Sequence, residues 1–239
     1  MTQSHVLDQE QIYQLLASEI LRFEHKPGET LSENHLCQRF SLSRTPVRSI
    51  LQRLQENGLV HIIPRKGSIV TKIDFEIVNQ LIYERVAVES MVLRDFIHTC
   101  SPIDVEKVRF AFEQLRQLAL VYENDREHFD ANRFLEIDLM MHETWFKATN
   151  KGYLWKKLSG VQSDYTRFCT LDIIDGSNVP DVIKDHEAML ALIDARSTEG
   201  IEQLMSRHLY GGVRRLGSQI FTRFADYFFS ASGGENDEA

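Results

Sequence analysis

Residues 27–70 read PGETLSENHLCQRFSLSRTPVRSILQRLQENGLVHIIPRKGSIV, and their changing apolar period decides the fold of the N-terminal part. Ser32 precedes Glu33, and Leu36 and Phe40 follow four residues apart, which predicts a short amphipathic helix capped by Ser32. Ser41-Leu42-Ser43 interrupts it. Ser43 or Thr45 can then cap a second helix, with Pro46 in its first turn, where a missing N–H costs nothing. Val47, Ile50, Leu51 and Leu54 fall on an i, i+3, i+4, i+7 stripe that must face a core, and Gly58 follows as a helix-ending glycine. The β-rich runs Val60 to Ile63 and Ser68 to Thr71 flank Pro64-Arg65-Lys66-Gly67, a two-stranded hairpin with a cationic tip.

Two helices joined by a tight turn set the second in a DNA major groove, its N-terminal residues against base edges. Arg44, Thr45 and Arg48 occupy that end. An arginine can pair bidentately with guanine, and a threonine methyl can meet a thymine methyl. Arg65 and Lys66 at the hairpin tip suit phosphates or a minor groove. Residues 31–72 hold seven Lys and Arg against two Asp and Glu, a local charge of +5 in a chain of net −8. A basic helix alone is more often a solvated surface; the second helix and the wing-like hairpin together predict binding to double-stranded DNA.

The string PGETLSE…SLSRTPVRSILQRLQENGLV…PRKGSIV resembles the winged-helix domain of GntR-family transcription regulators over about the first 70 residues. The resemblance implies operator contacts from Ser43, Arg44, Thr45 and Arg48, and a wing glycine at Gly67. Asn34 departs from the family pattern, where some members carry an arginine in the helix before the turn.

The charge divides sharply along the chain. Residues 1–72 carry nine basic and seven acidic groups, and residues 73–239 carry eighteen and twenty-eight. An acidic C-terminal part is not built to hold DNA, so two domains with separate tasks are expected: 1–72, a linker at 73–74, and 75–231. Residues 1–9 read as a loose arm and 232–239 as a disordered acidic tail. Residues 11–23 form an amphipathic helix expected to pack under the helix-turn-helix. No run approaches the ~18 apolar residues of a membrane-spanning helix, and no signal-peptide core opens the chain. Cys37, Cys100 and Cys169 lack a CxxC pairing and read as reduced core thiols, which suits a cytoplasmic protein.

Beyond the linker the apolar period is helical throughout, with segments at roughly 75–99, 102–124, 129–148, 153–168, 180–195 and 198–229. The fold class expected is mainly α: a winged helix-turn-helix followed by an all-α bundle of about six helices. Gly211-Gly212 falls inside the last segment and should weaken or bend it.

Asp138 and His142 stand at i and i+4 of one segment, His186 lies on a later one and His208 on the last. Helical spacing stacks the first two on one face. A carboxylate and three imidazoles would suit zinc, nickel, iron or manganese. Spacing does not decide whether they meet, and each histidine taken alone reads equally as an ordinary core or surface imidazole. The patterns YERVAVE (83–89), DLMMHETWFKATN (138–150) and DHEAMLALIDA (185–195), followed by His208, look like the FCD effector domain of the FadR branch of GntR regulators. That resemblance implies a divalent metal, zinc first, held by Asp138, His142, His186 and His208. It implies a small carboxylic-acid effector rather than an acyl-CoA, with Arg85 as a carboxylate clamp and Glu89 orienting that arginine. Arg167 is a second effector-binding candidate and reads equally as a surface cation.

The functional expectation is a ligand-responsive regulator, a repressor acting as a homodimer on a near-palindromic operator. A regulator that senses the metal itself is the alternative. A metallohydrolase comes a distant third, because no general base or nucleophile accompanies the ligand set.

Overall fold

The helix from Arg44 to Glu56 (α3) organises the N-terminal unit of the computed structural model, which describes residues 7–160, 162–174 and 178–229. It ends as the sequence predicts. Asn57 is the C-cap, Gly58 adopts φ +69°, and the Leu59 N–H reaches back to the Leu54 carbonyl, a Schellman closure. Ser43 stands at its N-cap position without a side-chain capping hydrogen bond. Before it, α2 (Glu33–Phe40) is capped by Ser32 Oγ, which accepts from the His35 N–H, and closes on Ser41 in the left-handed region. An earlier helix, α1 (Gln9–Leu21), begins in a reciprocal capping box between Asp8 and Gln11. Ile12, Leu16 and Ile20 of α1 join Leu36, Val47, Ile50 and Leu54 in one buried cluster. Arg53 also ties α1 to α3: its guanidinium lies 4.0 Å from the Tyr13 ring centroid and 2.7 Å from Glu10.

The two-stranded hairpin is present, within a sheet of three strands. Strands β2 (Val60–Ile63) and β3 (Gly67–Val70) pair antiparallel, and a short strand β1 (Thr30–Leu31) adds to the other edge of β3, in the order β1-β3-β2. Two residues are too few to show an alternating pattern, so β1 left no sequence signal. At the tip Arg65 takes φ +66° and Gly67 φ +108°, so the Lys66 N–H closes on the Ile63 carbonyl.

The N-terminal unit also includes a segment far away in sequence. Residues 218–229 belong with residues 7–75, and residues 76–217 form the second unit. Ile73 pairs with the Tyr227–Phe229 segment: its N–H bonds the Tyr227 carbonyl at 2.8 Å, and its carbonyl accepts from the Phe229 N–H at 3.1 Å. Tyr227 meets Phe23 edge-on, and Phe228 meets Phe75. The helix expected over 198–229 is therefore corrected. It breaks into α10 (Ile201–Leu209) and α11 (Gly211–Leu216), and Gly217 at φ +45° ends the regular helix. The chain continues as two 3-10 turns.

In the second unit α4 (Phe75–Thr99), α5 (Pro102–Asn124), α6 (Ala131–Ala148) and α9 (Val179–Asp194) follow the expected spans closely. The single helix expected over 153–168 is instead α7 (Gly152–Leu158) and α8 (Ser163–Ile174), interrupted around Ser159-Gly160. The bundle thus has more, shorter helices than the six expected. Its core gathers Phe96, Leu115, Met141, Trp145, Phe146 and Met189, all essentially inaccessible. Of the arm expected over residues 1–9, residues 1–6 lie outside the described residues, as do the break at 175–177 and the tail at 232–239, whereas Asp8 caps α1 and Gln9 begins it, so the arm is shorter than expected. Among the described residues no helix is long and apolar enough to cross a membrane, and no cysteine is disulfide-bonded. Cys100 is buried as expected, whereas Cys37 and Cys169 are half-buried.

Candidate metal centre and nucleic-acid interface

Four helices aim chemistry at one point inside the bundle. On α4 the buried stripe Val78, Ile82, Arg85, Glu89, Val92, Phe96 contains two charged residues among apolar ones. On α6, Asp138 and His142 share a face one turn apart; α9 supplies His186 and α10 supplies His208. One donor atom from each of Asp138, His142, His186 and His208 lies within 4.8 Å of all the others. His142 Nε2 and His186 Nε2 are 3.2 Å apart, and Asp138 Oδ1 is 3.4 Å from His186 Nε2 and 4.0 Å from His208 Nε2.

These residues fit a divalent metal. With ligand bonds of about 2.0–2.2 Å, adjacent donors around one ion stand about 3–3.5 Å apart, as the His142–His186 and Asp138–His186 pairs do here, with the remaining pairs wider. Asp138 Oδ1 is buried without a hydrogen-bond partner. Burial pushes the His186 and His208 pKa values well below the ordinary imidazole value, and the neighbouring imidazoles push them further. Both rings are therefore neutral at pH 7 and offer lone pairs. Burial likewise raises the Asp138 carboxyl pKa, outweighing the opposing pull of His142 and Arg85.

The surroundings orient the set. His142 Nδ1 hydrogen-bonds a Glu89 carboxylate oxygen, which fixes the tautomer and leaves Nε2 for the centre. The other Glu89 oxygen accepts from Arg85 Nε at 2.6 Å. Burial opposes the charge on both partners, but each overrides that penalty for the other: Arg85 is held above its usual pKa and Glu89 below. Asp185, beside His186, is 3.8 Å from His208 Nδ1 and 2.7 Å from Arg207.

A small cleft opens beside the centre, with Asp138 and His208 in its wall. Neither residue expected to bind an effector lines this cleft, but Arg85 lines an adjoining one with Leu135, Tyr165 and Cys169, which border both. Arg85 is buried with Glu89 and faces Tyr165 and Trp155. Arg167 is fully buried rather than a surface cation, bonded to the Ser163 carbonyl and to Asp164. The cleft instead holds Arg215, which the sequence reading missed. Its guanidinium grips Asp172 bidentately, at 3.1 and 2.7 Å, and reaches Asp181 at 3.2 Å. Gly212 permits that approach, because a Cβ there would stand 2.9 Å from Phe168 Cε1 and 3.1 Å from Asp172 Oδ2. The Gly211-Gly212 pair was the only local hint. The Glu89–His142 link had a fainter one, a charged pair on an otherwise apolar stripe.

In the N-terminal unit Ser43, Arg44, Thr45 and Arg48 are all exposed at the start of α3. Glu33 of α2 holds Arg48 at 3.0 Å and stands 3.8 Å from Arg44, and Arg44 also donates to Asn34 at 3.3 Å. Arg65 and Lys66 are exposed at the wing tip, beside half-buried Gly67. The two exposed arginines at the head of α3 are thus held by half-buried Glu33 and exposed Asn34, partners that a ligand can replace.

Comparison with known proteins agrees with this division. Residues 8–70 match the family of bacterial regulatory proteins called the gntR family, and residues 80–211 match the FCD domain. The HTH-type transcriptional repressor RspR of Escherichia coli K12 is 28% identical over 203 residues, covering 84% of this chain and 85% of that one. The gluconate operon transcriptional repressor of Bacillus subtilis is 26% identical over 141 residues, 58% of this chain and 55% of its own. Among solved structures, E. coli McbR/YncC superposes with a TM-score of 0.68 at 17% identity, covering 88% of this chain and 97% of that one.

Proposed function

This chain belongs to the GntR family of transcription regulators and carries an FCD domain, and from that premise we propose that it is a metal-dependent, acid-responsive repressor. In this reading the head binds operator DNA as one half of a homodimer. Arg44, Thr45 and Arg48 face base edges, Ser43 contacts the backbone, and Arg65, Lys66 and Gly67 form the wing contact. Asp138, His142, His186 and His208 hold one divalent ion, with zinc first among candidates for three imidazoles and a carboxylate. When bound, the ion supplies a Lewis-acidic anchor for an anionic ligand. The bundle's own residues do the rest: Glu89 orients His142, neutral His186 and His208 present lone pairs, and the cleft admits a small carboxylic acid.

The observation that carries the reading is the meeting of four donor atoms beside an open cleft. The cleft favours an acid effector over a regulator that senses the ion alone. A hydrolase is set aside, because the family and its relatives are transcription regulators. Release from DNA requires the acid to bind the DNA-incompetent state more tightly than the competent one.

The test is thermal unfolding of the metal-loaded protein against a panel of small carboxylic acids, repeated after chelation, with operator gel shifts in parallel. An acid that raises the melting temperature only with metal present, and weakens the gel shift, is the expected result. Stabilisation that survives chelation would separate the acid from the metal. Metal-dependent DNA binding that no acid alters would favour the ion as the signal.

A further inference from the structure

The chain passes between its two units twice, at Phe75–Glu76 and again at Gly217–Ser218. The first crossing opens α4, the helix that carries Arg85 and the Glu89 bonded to His142. The second follows α10, which carries His208, and α11. Gly217 ends α11 at φ +45° and ψ −125°, a conformation that residues with a Cβ rarely adopt, so the chain turns sharply before it enters the head unit.

Residues 218–229 then grip the first crossing. Ile73 is fully buried, and this segment uses both of its backbone groups, through the Tyr227 carbonyl at 2.8 Å and the Phe229 N–H at 3.1 Å. A buried backbone bonded on both sides is costly to release, so the linker is held rather than free to swing. Phe228, between those two partners, is 3% exposed and meets the Phe75 ring edge-on at 6.2 Å. Tyr227 meets Phe23 with ring centroids 5.4 Å apart. Phe23 stands just past the end of α1 at φ +59°, a strained conformation for a bulky residue that persists only where the surroundings hold it. One segment thus ties together the turn after α1, the linker and the first residue of α4.

The two crossings lead to helices that serve one centre. Ligation of an ion fixes α10 through His208 and α4 through the Glu89–His142 bond, and the two stretches of chain that leave those helices converge at the Ile73–Phe228 bridge. Resting on the metal-centre reading above, we propose that residues 218–229 are a clasp on the linker, and that occupancy of the metal centre reaches the DNA-reading head only while this clasp is closed. Opened, the clasp leaves the start of α4 as the sole tether, and the head no longer responds to the ion.

The experiment is hydrogen exchange, followed by mass spectrometry, on the full-length protein with zinc and after chelation, beside Phe228→Ala and Phe23→Gly. The first variant removes the buried ring at the bridge. The second removes the ring that Tyr227 meets, and glycine adopts φ +59° without strain, so it opens the clasp without burdening the fold. In the wild-type protein zinc should slow exchange in the bundle and also, by about fivefold or more, in peptides covering Ile73 and α3. In the variants zinc affinity, read by a competing indicator, and protection of the bundle should be kept, while the zinc effect on the head shrinks to within about twofold. If Phe228→Ala loses zinc binding it is misfolded, and Phe23→Gly decides. A zinc effect on the head as large in the folded variants as in the wild type overturns the proposal, because coupling then runs through α4 alone. So does a wild-type protein in which zinc protects the bundle and leaves the head unchanged. Both results leave the metal centre standing. Zinc that neither competes with the indicator nor protects the bundle removes the metal centre itself, and the proposal with it.

Discussion

Arg48 and His142 are each held by a glutamate from another helix, and the two pairs behave as opposites. Glu33 holds Arg48 at the surface, where the arginine side chain is 67% exposed. Glu89 holds His142 where neither side chain has accessible surface. An exposed ion pair contributes at most about 1 kcal/mol and exchanges readily for a phosphate or a base edge. A buried carboxylate–imidazole bond is fixed, aims the free ring nitrogen, and is costly to disturb. The head therefore keeps its chemistry loosely tied and available, whereas the bundle keeps its own rigid and aimed. One arrangement suits reading a long polyanion, the other capturing a single ion and a small ligand.

The most severe way to break this contrast is to remove the ion. At metal a thousandfold above its Kd, ligation stabilises the folded chain by about 4 kcal/mol. Chelation should lower the bundle's unfolding transition by that amount, and zinc should restore it. A melting curve indifferent to chelator would mean that the four donors are merely a buried polar cluster. Next in size is Arg44→Ala. One bidentate arginine–guanine pair is worth about 1–3 kcal/mol of discrimination, so operator affinity in a gel shift at fixed salt should fall by that much. Folding stability should stay within about 0.5 kcal/mol of wild type, because the residue is exposed. An equal loss on operator and random DNA would demote Arg44 to a phosphate contact.

Glu89→Gln sharpens the buried side of the comparison. The amide can still accept from His142 but no longer carries the charge that polarises it, and losses of such partners cost about 10–100-fold in metal affinity. Competition with a zinc indicator measures this. It must be read beside the unfolding midpoint, because Arg85 is left without its charge partner. Unchanged zinc affinity would reduce Glu89 to a partner of Arg85 alone.

The same contrast explains what could be read in advance. Ser43, Arg44, Thr45 and Arg48 are neighbours in sequence, and a helix start places them on one surface without help from the rest of the chain. Asp138 and His142 were legible as a pair for the same reason, through their i, i+4 spacing. Their meeting with His186 and His208 depends on how α6, α9 and α10 pack, so spacing alone left it open and the family resemblance had to supply it. Arg215, Asp172 and Asp181 had neither aid. They come from α11, α8 and the start of α9, and only Gly212 hinted at the close approach that joins them. Strand β1 and the return of Tyr227–Phe229 to Ile73 were hidden likewise, one too short for a period and the other pairing residues some 150 positions apart.

The head holds an ion pair of its own with a buried carboxylate, and it supplies the smallest effect. Glu19 of α1 is 7% exposed and takes both Arg39 guanidinium nitrogens, with His25 3.5 Å away. The Arg39 hydrogen bonds hold the Glu19 carboxyl below its ordinary pKa of 4.5, against the opposing effect of burial. A depressed folded pKa means the pair stabilises the fold above the unfolded value and loses that contribution as pH falls through the folded one. Glu19→Gln should therefore lower stability at pH 7 by about 1.5 kcal/mol, the low end for a charged hydrogen bond, because Arg39 is a third exposed and can turn to water. In urea titrations of the full chain the gap from wild type should start to narrow near pH 4.5 and close below the depressed pKa. A gap that persists at low pH would mean that Glu19 acts through packing, and the head would then contain no counterpart to the charged pair at the centre of the bundle.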